Sequence, residues 1–273
     1  MRLGINTYTY MWSIGFKFGD REAKPARPMG ALDLLGKAHE LGVRVVQMGP
    51  NLPLDKLSEA ELDAFVRQAQ AWGIELELGT RGLETDHLLR QLALAKRIGA
   101  RLLRTIPEIG GQSVEAPAIP DTLRAILPAL AADGIVLAME NGNLPAVELR
   151  WAIEEVGSPH IGVVLDMVNS LAVSEGWKQV AEVLAPYTMC LHLKDFAVRR
   201  VWNMMGFVVE GRPAGKGQVD LPWLFDTLKA SPYDFNVIIE LWPPEQPTLD
   251  ESIALEQAWA VESVPAMRAY VKD

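Results

Sequence analysis

The stretch from Val136 to Asp166 decides the fold. It opens on the apolar run Val136-Leu137-Ala138-Met139-Glu140, passes through a segment of helical period from Pro145 to Val156, and closes on Gly162-Val163-Val164-Leu165-Asp166. Short apolar runs on either side of an amphipathic, helix-length segment read as strand, crossover helix and parallel strand. Strands covered on both faces need no polar alternation. Both runs end on a carboxylate, and a charge that ends a buried strand requires a partner.

Outward from this unit the same alternation fills the chain. Strands are expected at residues 3–6, 43–48, 74–78, 102–104, 136–140, 162–166, 189–192 and 237–240. Helices are expected at 31–41, 58–72, 85–98, 121–132, 145–156, 177–184, 221–230 and 250–270. Eight strands each followed by a helix predict an α/β fold closed as a (β/α)8 TIM barrel, a single domain over residues 1–273. Helix ends carry their own chemistry. Ser58-Glu59-Ala60-Glu61 has capping-box spacing, Asp220 precedes Leu221-Pro222 as a cap before a first-turn proline, and Gly42, Gly73 and Gly99 stand where left-handed residues close helices.

Composition narrows the function classes. Hydrophobic residues make up 49 % and charged residues 22 %, enough apolar matter for a large core and too much for disorder. The net charge of −9 arises from 35 acidic against 26 basic residues with no basic run, which argues against nucleic acid as a partner. No stretch approaches the roughly 20 apolar residues of a membrane span, and residues 1–6 lack a signal-like apolar region. One cysteine, Cys190, leaves no internal disulfide, so a soluble, unprocessed, cytoplasmic protein is expected.

Two further apolar runs end as the first two do, Met189-Cys190-Leu191-His192 and Val237-Ile238-Ile239-Glu240. Glu140, Asp166, His192 and Glu240 therefore share the carboxyl ends of strands five to eight, the rim where barrels of this kind place their active sites. A lone strand-end acid or histidine is more often a cap or a loop salt bridge. Four on consecutive strands point to one divalent ion, and the oxygen-rich set suits Mn²⁺, Mg²⁺ or Co²⁺, with Zn²⁺ also compatible. His39, His87 and His160 do not share the pattern and are read as surface or structural residues.

These residues carry a resemblance. The chain resembles the xylose isomerase-like barrel superfamily of sugar-phosphate isomerases and epimerases, inosose dehydratases and endonuclease IV-type repair enzymes. The resemblance rests on Leu3-Gly4-Ile5-Asn6, Ala38-His39-Glu40-Leu41-Gly42-Val43, Glu140-Asn141, Leu165-Asp166, His192-Leu193-Lys194-Asp195, Gly215-Lys216-Gly217-Gln218-Val219-Asp220 and Ile239-Glu240. It implies one divalent ion held by Glu140, Asp166, His192 and Glu240, with the two glutamates facing opposite sides of a bound ketose. Family members often form dimers or tetramers, so a homo-oligomer is an expectation without a fixed number. Many epimerases and dehydratases of the family carry histidine where this chain has Asn169, which can bind a hydroxyl and cannot shuttle a proton. With four histidines in the chain, the three-metal cluster of the repair nucleases cannot be assembled.

The expected chemistry is isomerisation or epimerisation of a small ketose or keto sugar acid. The ion would stabilise an enediolate while Glu140 and Glu240 exchange protons with it. The alternative is a metal-dependent lyase, a decarboxylase or dehydratase of a 3-oxo sugar acid, in which the same charge develops while another bond breaks. A non-catalytic barrel is disfavoured because all four ligands are present. Lys194 is a candidate to polarise a carbonyl or bind a carboxylate, with Asp195 orienting it, or else the two form a structural rim pair. Tyr8, Tyr10, Trp12 and Trp242 either wall the pocket or pack beneath loops. Arg81 and Arg199 or Arg200 are candidates for a substrate carboxylate or phosphate, and Glu108 for a hydroxyl. Gly211-Arg212-Pro213-Ala214-Gly215-Lys216-Gly217 is either a phosphate cradle or a turn that launches the next helix. Residues 14–28 read as a lid or interface loop.

Overall fold

The computed structural model describes residues 1–273, and its strands close on themselves in chain order. They are β1 Leu3–Asn6, β2 Val45–Met48, β3 Glu75–Gly79, β4 Leu102–Thr105, β5 Val136–Glu140, β6 Ile161–Asp166, β7 Thr188–Leu193 and β8 Asn236–Ile239. All neighbours are parallel, and β1 pairs with both β2 and β8. The helices are α1 Ala31–Leu41, α2 Glu59–Trp72, α3 Thr85–Ile98, α4 Ile119–Asp133, α5 Ala146–Val156, α6 Trp177–Leu184, α7 Leu221–Thr227 and α8 Leu249–Met267. The expected TIM barrel is what the chain forms. None of its helices is long and apolar enough to cross a membrane.

The period of two along each strand separates two apolar compartments. Outward residues such as Val46, Leu103, Leu137, Leu165, Leu191 and Ile239 join the large core packed under the helices. Inward residues Val45, Leu102, Ala138, Val164, Cys190 and Ile238 form a separate cluster inside the barrel. Two positions further along the same strands, or just beyond them, come Gln47, Arg104, Glu140, Asp166, His192 and Glu240, all buried. The sequence thus builds an apolar floor with a polar layer directly above it. Gly4 lets the floor close, since a Cβ there would come within 2.6 Å of Val45 Cβ and 2.8 Å of Ile238 Cδ1.

Local chemistry explains most boundaries. Ser58 and Glu61 form the expected reciprocal cap, and Asp220 accepts from Trp223 N at 3.2 Å. Gly42, Gly73 and Gly99 close α1, α2 and α3 with φ of 68°, 63° and 74°. β2 begins at Val45 because Val43 N is still bonded to Ala38 O in the helix-closing turn. Three hairpins were not anticipated. Phe16–Phe18 pairs with Arg21–Ala23 inside the expected lid or interface loop, Glu108–Ile109 pairs with Gln112–Ser113, and Asp195–Arg200 pairs with Phe207–Arg212.

Candidate active site

Parallel strands that end together bring side chains from distant positions to one rim. One potential ligand atom from each of Glu140, Asp166, His192 and Glu240 lies within 4.8 Å of the others, and all four residues are buried. Their remaining atoms are fixed by neighbours. Glu140 Oε2 accepts from Arg104 Nε at 2.5 Å, and its Oε1 accepts from Asn169 Nδ2 at 2.6 Å. Asp166 Oδ1 accepts from the backbone N–H groups of Val168 at 2.7 Å and Asn169 at 2.8 Å. Glu240 Oε2 accepts from Asn6 Nδ2 at 2.5 Å, and its Oε1 lies 2.6 Å from Lys194 Nζ. Lys194 also donates to Asn169 Oδ1 at 3.0 Å.

Electrostatics decides the charge states. Burial works to raise the Glu140 carboxyl, yet the Arg104 guanidinium and His192 outweigh it and hold it at about 2. Glu240 is likewise held well below the carboxylate range: burial opposes this, and Lys194 and His192 prevail. For Asp166 burial wins over Lys194 and the carboxyl is raised. Burial works to lower Lys194, and Asp166 and Glu240 outweigh it and raise the ammonium above its ordinary range. Burial opposes a charge on His192 as well, and Glu140 and Glu240 outweigh it and raise the imidazole well above its ordinary value, so the chain brings three cations of its own, Arg104, Lys194 and His192, to three carboxylates.

The donor set fits a divalent ion on two grounds. Asp166 Oδ2 and His192 Nδ1 are buried with no hydrogen-bond partner, and both border the cluster. Asp166 Oδ2 does lie 3.0 Å from Lys194 Nζ, and His192 Nδ1 lies 3.1 Å from Glu240 Oε2 and 3.4 Å from Glu140 Oε2, charge contacts without hydrogen-bond geometry. Carboxylate oxygen and imidazole nitrogen form bonds of about 2.0–2.2 Å, so ligand atoms around one ion stand up to roughly 4.4 Å apart. That span is close to the observed grouping.

Above the cluster opens a cavity of about 670 Å³ whose lining includes Glu140, Glu240, Lys194, Asn169, Tyr8, Trp242 and Arg81. Arg81 is not free there. Its Nε donates to Glu108 Oε2 at 3.1 Å, and Glu108, expected to meet a hydroxyl, also accepts from Asn143 at 3.2 Å. Tyr10 and Trp12 are core residues, 1 % and 7 % exposed. Arg199 does not line the cavity: it lies on the hairpin after β7, where it donates to Glu210 Oε1 at 3.0 and 2.6 Å. Arg200, next to it, is spent on Met204 O at 2.7 Å.

The glycine-rich segment also departs from its reading as a phosphate cradle. The N–H groups of Gly215, Gly217 and Val219 donate to the Asp195 carboxylate at 2.9, 2.8 and 3.1 Å, and Phe196 N adds a fourth bond at 2.8 Å. An internal anion fills the turn, so the expected Lys194–Asp195 pair is absent and the two residues do separate work. The other histidines are structural or surface: His39 stacks on Trp72, His87 meets Thr80 Oγ1 at 2.7 Å, and His160 meets Ile135 O at 3.0 Å.

Arg104 was missed as a site residue although it obeys the same rule as the four ligands, a charge closing the apolar run Leu102-Leu103. Asn141 had a weaker signal. It clamps β6 by accepting from Asp166 N at 2.6 Å and donating to Asp166 O at 3.0 Å.

A closed parallel barrel with three carboxylates and an imidazole gathered at its carboxyl rim defines a class of proteins with an ion-competent centre at the barrel mouth. The chain belongs to the xylose isomerase-like TIM barrel family, whose sequence model matches residues 35–259. It is 31 % identical over 265 residues to 3-oxo-isoapionate decarboxylase of Pectobacterium atrosepticum, covering 97 % of this chain and 94 % of that protein. Among solved structures it is similar to D-psicose 3-epimerase from Clostridium cellulolyticum with D-tagatose, at a TM-score of 0.73 and 14 % identity, with all of both chains covered. It is also similar to the IOLI protein with a bound zinc atom, at 0.68 and 18 %, again over both full lengths. At these identities the structural likeness establishes the fold. The chain is thus a relative of that decarboxylase and shares its fold with the epimerase.

Proposed function

We propose that the protein is a divalent-metal-dependent lyase that decarboxylates a small 3-oxo sugar acid by way of an enediolate. The observation that carries this reading is the double engagement of Glu140, with one oxygen on Arg104 and the other on Asn169. Epimerisation uses a free base on each face of the substrate. Decarboxylation needs none, because the electron pair comes from the breaking carbon–carbon bond. The decarboxylase relative, matched over nearly the whole chain, supports the same choice.

The cation held by Glu140, Asp166, His192 and Glu240 would supply Lewis-acid stabilisation of negative charge on substrate oxygen. The bond between the carboxyl carbon and C2 breaks, carbon dioxide leaves, and the released pair forms the C2–C3 double bond with charge on the C3 oxygen. A proton must then reach C2. Lys194 lines the cavity and stays protonated beside Asp166 and Glu240, so it is the assigned donor, recharged afterwards from water. Tyr8 and Trp242 wall the cavity and limit water around the enediolate. Asn169 holds a substrate hydroxyl, and Arg81 offers the guanidinium donors left over from Glu108 to the distal end. Mn²⁺, Mg²⁺ or Co²⁺ is the expected ion, and the cytoplasm the expected compartment.

The isomerase or epimerase reading, with Glu140 and Glu240 as acid and base, keeps one observation in its favour: both glutamates line the same cavity. Turnover of ketoses and 3-oxo sugar acids by metal-loaded protein in deuterated water separates the two. Carbon dioxide with deuterium at the carbon that bore the carboxyl group, C2 of the substrate, is the expected result. Deuterium at a carbinol carbon with the skeleton intact would replace the lyase by the epimerase.

A further inference from the structure

His192 faces two ways. Its Nδ1 borders the ligand cluster without a hydrogen-bond partner, while its Nε2 lies 2.7 Å from Gln47 Oε1 in the barrel interior. From Gln47 a string of polar groups runs away from the active-site rim. Gln47 Nε2 donates to Glu77 Oε2 at 2.9 Å, and Asn236 Nδ2 donates to Glu77 Oε1 at 2.8 Å and to Glu75 Oε1 at 3.0 Å. Glu75 pairs with Arg2 beside a cavity of about 580 Å³ that Glu77 and Asn236 also line. Gln47 and Glu77 are register partners on β2 and β3, only 2 % and 1 % exposed. Burying them is costly unless every group is matched.

The matching has a direction. An imidazole nitrogen donates or accepts according to its tautomer, and a glutamine amide can be reversed, but an ionised carboxylate only accepts. Both Glu77 oxygens accept from amides, Oε2 from Gln47 and Oε1 from Asn236, bonds that oppose the upward push of burial on that carboxyl, and the Cys190 sulfur lies 3.8 Å from Oε2. With Glu77 as acceptor, Gln47 turns Nε2 toward it and Oε1 toward His192. The imidazole must then carry a proton on Nε2, so that Nδ1 is the nitrogen turned to the cluster and available to a cation. A reversed amide would protonate Nδ1 and spoil it as a ligand.

We propose that Glu77, acting through Gln47, is a positioning residue that fixes the tautomer and ring orientation of His192. This rests on the reading of Glu140, Asp166, His192 and Glu240 as a metal site. Partners behind a ligating histidine typically change metal affinity by about 10–100-fold when removed.

The test uses Co²⁺ titration followed by visible absorption, together with ¹⁵N NMR of histidine-labelled protein. Wild type is compared with Glu77→Gln and Gln47→Met. The expected results are one Co²⁺ per wild-type chain, affinity lowered about 10–100-fold in both variants, and an Nε2–H signal of His192 that both variants lose. Unchanged Co²⁺ affinity and spectrum in folded variants would overturn the positioning role, as would a wild-type His192 with no proton on Nε2, a measurement that needs no variant. A wild type that takes up no Co²⁺ yet shows the Nε2–H form, lost on Glu77→Gln, would overturn the metal-site reading and uphold the tautomer control.

Discussion

Replacing Arg104 by Met tests the electrostatic design of the site. Arg104 is 4 % exposed, its Nε donates to Glu140 Oε2 at 2.5 Å, and its Nη1 donates to Thr80 O at 3.2 Å. Removing one partner of a buried ion pair typically costs about 3–5 kcal/mol, because the other charge stays buried and uncompensated. The direction with pH follows from Glu140, which burial would raise and Arg104 and His192 hold down at about 2. A depressed carboxyl contributes stability above its ordinary value of 4.5, and the contribution fades as pH falls toward about 2. In Arg104→Met that contribution shrinks, so the deficit should be largest near neutrality and fall to about half or less at pH 3, on the way to its loss near pH 2. For a chain of this length each kcal/mol corresponds to roughly 2 °C, so metal-free protein at pH 7 should melt about 6–10 °C lower. Thermal unfolding in chelator at both pH values provides the assay. A variant that melts with wild type at pH 7, or loses as much at pH 3, refutes the account.

Two other outcomes follow from groups outside the ligand set. Asp195→Ala strips the acceptor from four backbone N–H groups, so urea denaturation should show a loss of at least about 3 kcal/mol; a change within experimental error would mean that the turn is held by something else. Glu256 accepts from Trp12 N at 2.8 Å and Ser13 N at 2.7 Å, and burial raises it to about 7 against those bonds. A raised carboxyl stabilises the fold below its ordinary 4.5 and loses that contribution as pH climbs to about 7, an amount of about 3 kcal/mol. Denaturation at pH 5 and pH 8 should show that slope in wild type and not in Glu256→Gln; equal slopes would rule it out.

The barrel was legible because burial on both faces imposes continuous apolar runs. Helix ends such as Ser58 and Gly73 carry local signals that do not depend on distant contacts. The gathering of Glu140, Asp166, His192 and Glu240 at one rim was legible for a related reason, since a charge ending such a run has no apolar explanation. Arg104 carries the same signal, but a guanidinium offers no lone pair to a cation, so the donor chemistry that singles out the other four does not single it out. The hairpin at 195–212 was opaque: its Phe207 and Val209 are substantially exposed, so no burial pattern disciplines it. Arg199 could not be placed without that hairpin. The 215–219 turn offers anion-binding N–H groups on paper, and only the fold reveals that Asp195 occupies them.

That same hairpin divides the barrel's obligations unevenly. Its root begins at Asp195, immediately after Lys194, and Val209 on its returning strand lines the cavity. Its tip carries Trp202 at 93 % exposure and Met205 at 86 %. Substitutions at so exposed a tip usually change stability by no more than about 0.5 kcal/mol, whereas those at the root disturb buried bonds. Side chains at the tip can therefore be exchanged while the polar layer and the apolar floor beneath the mouth keep their contacts.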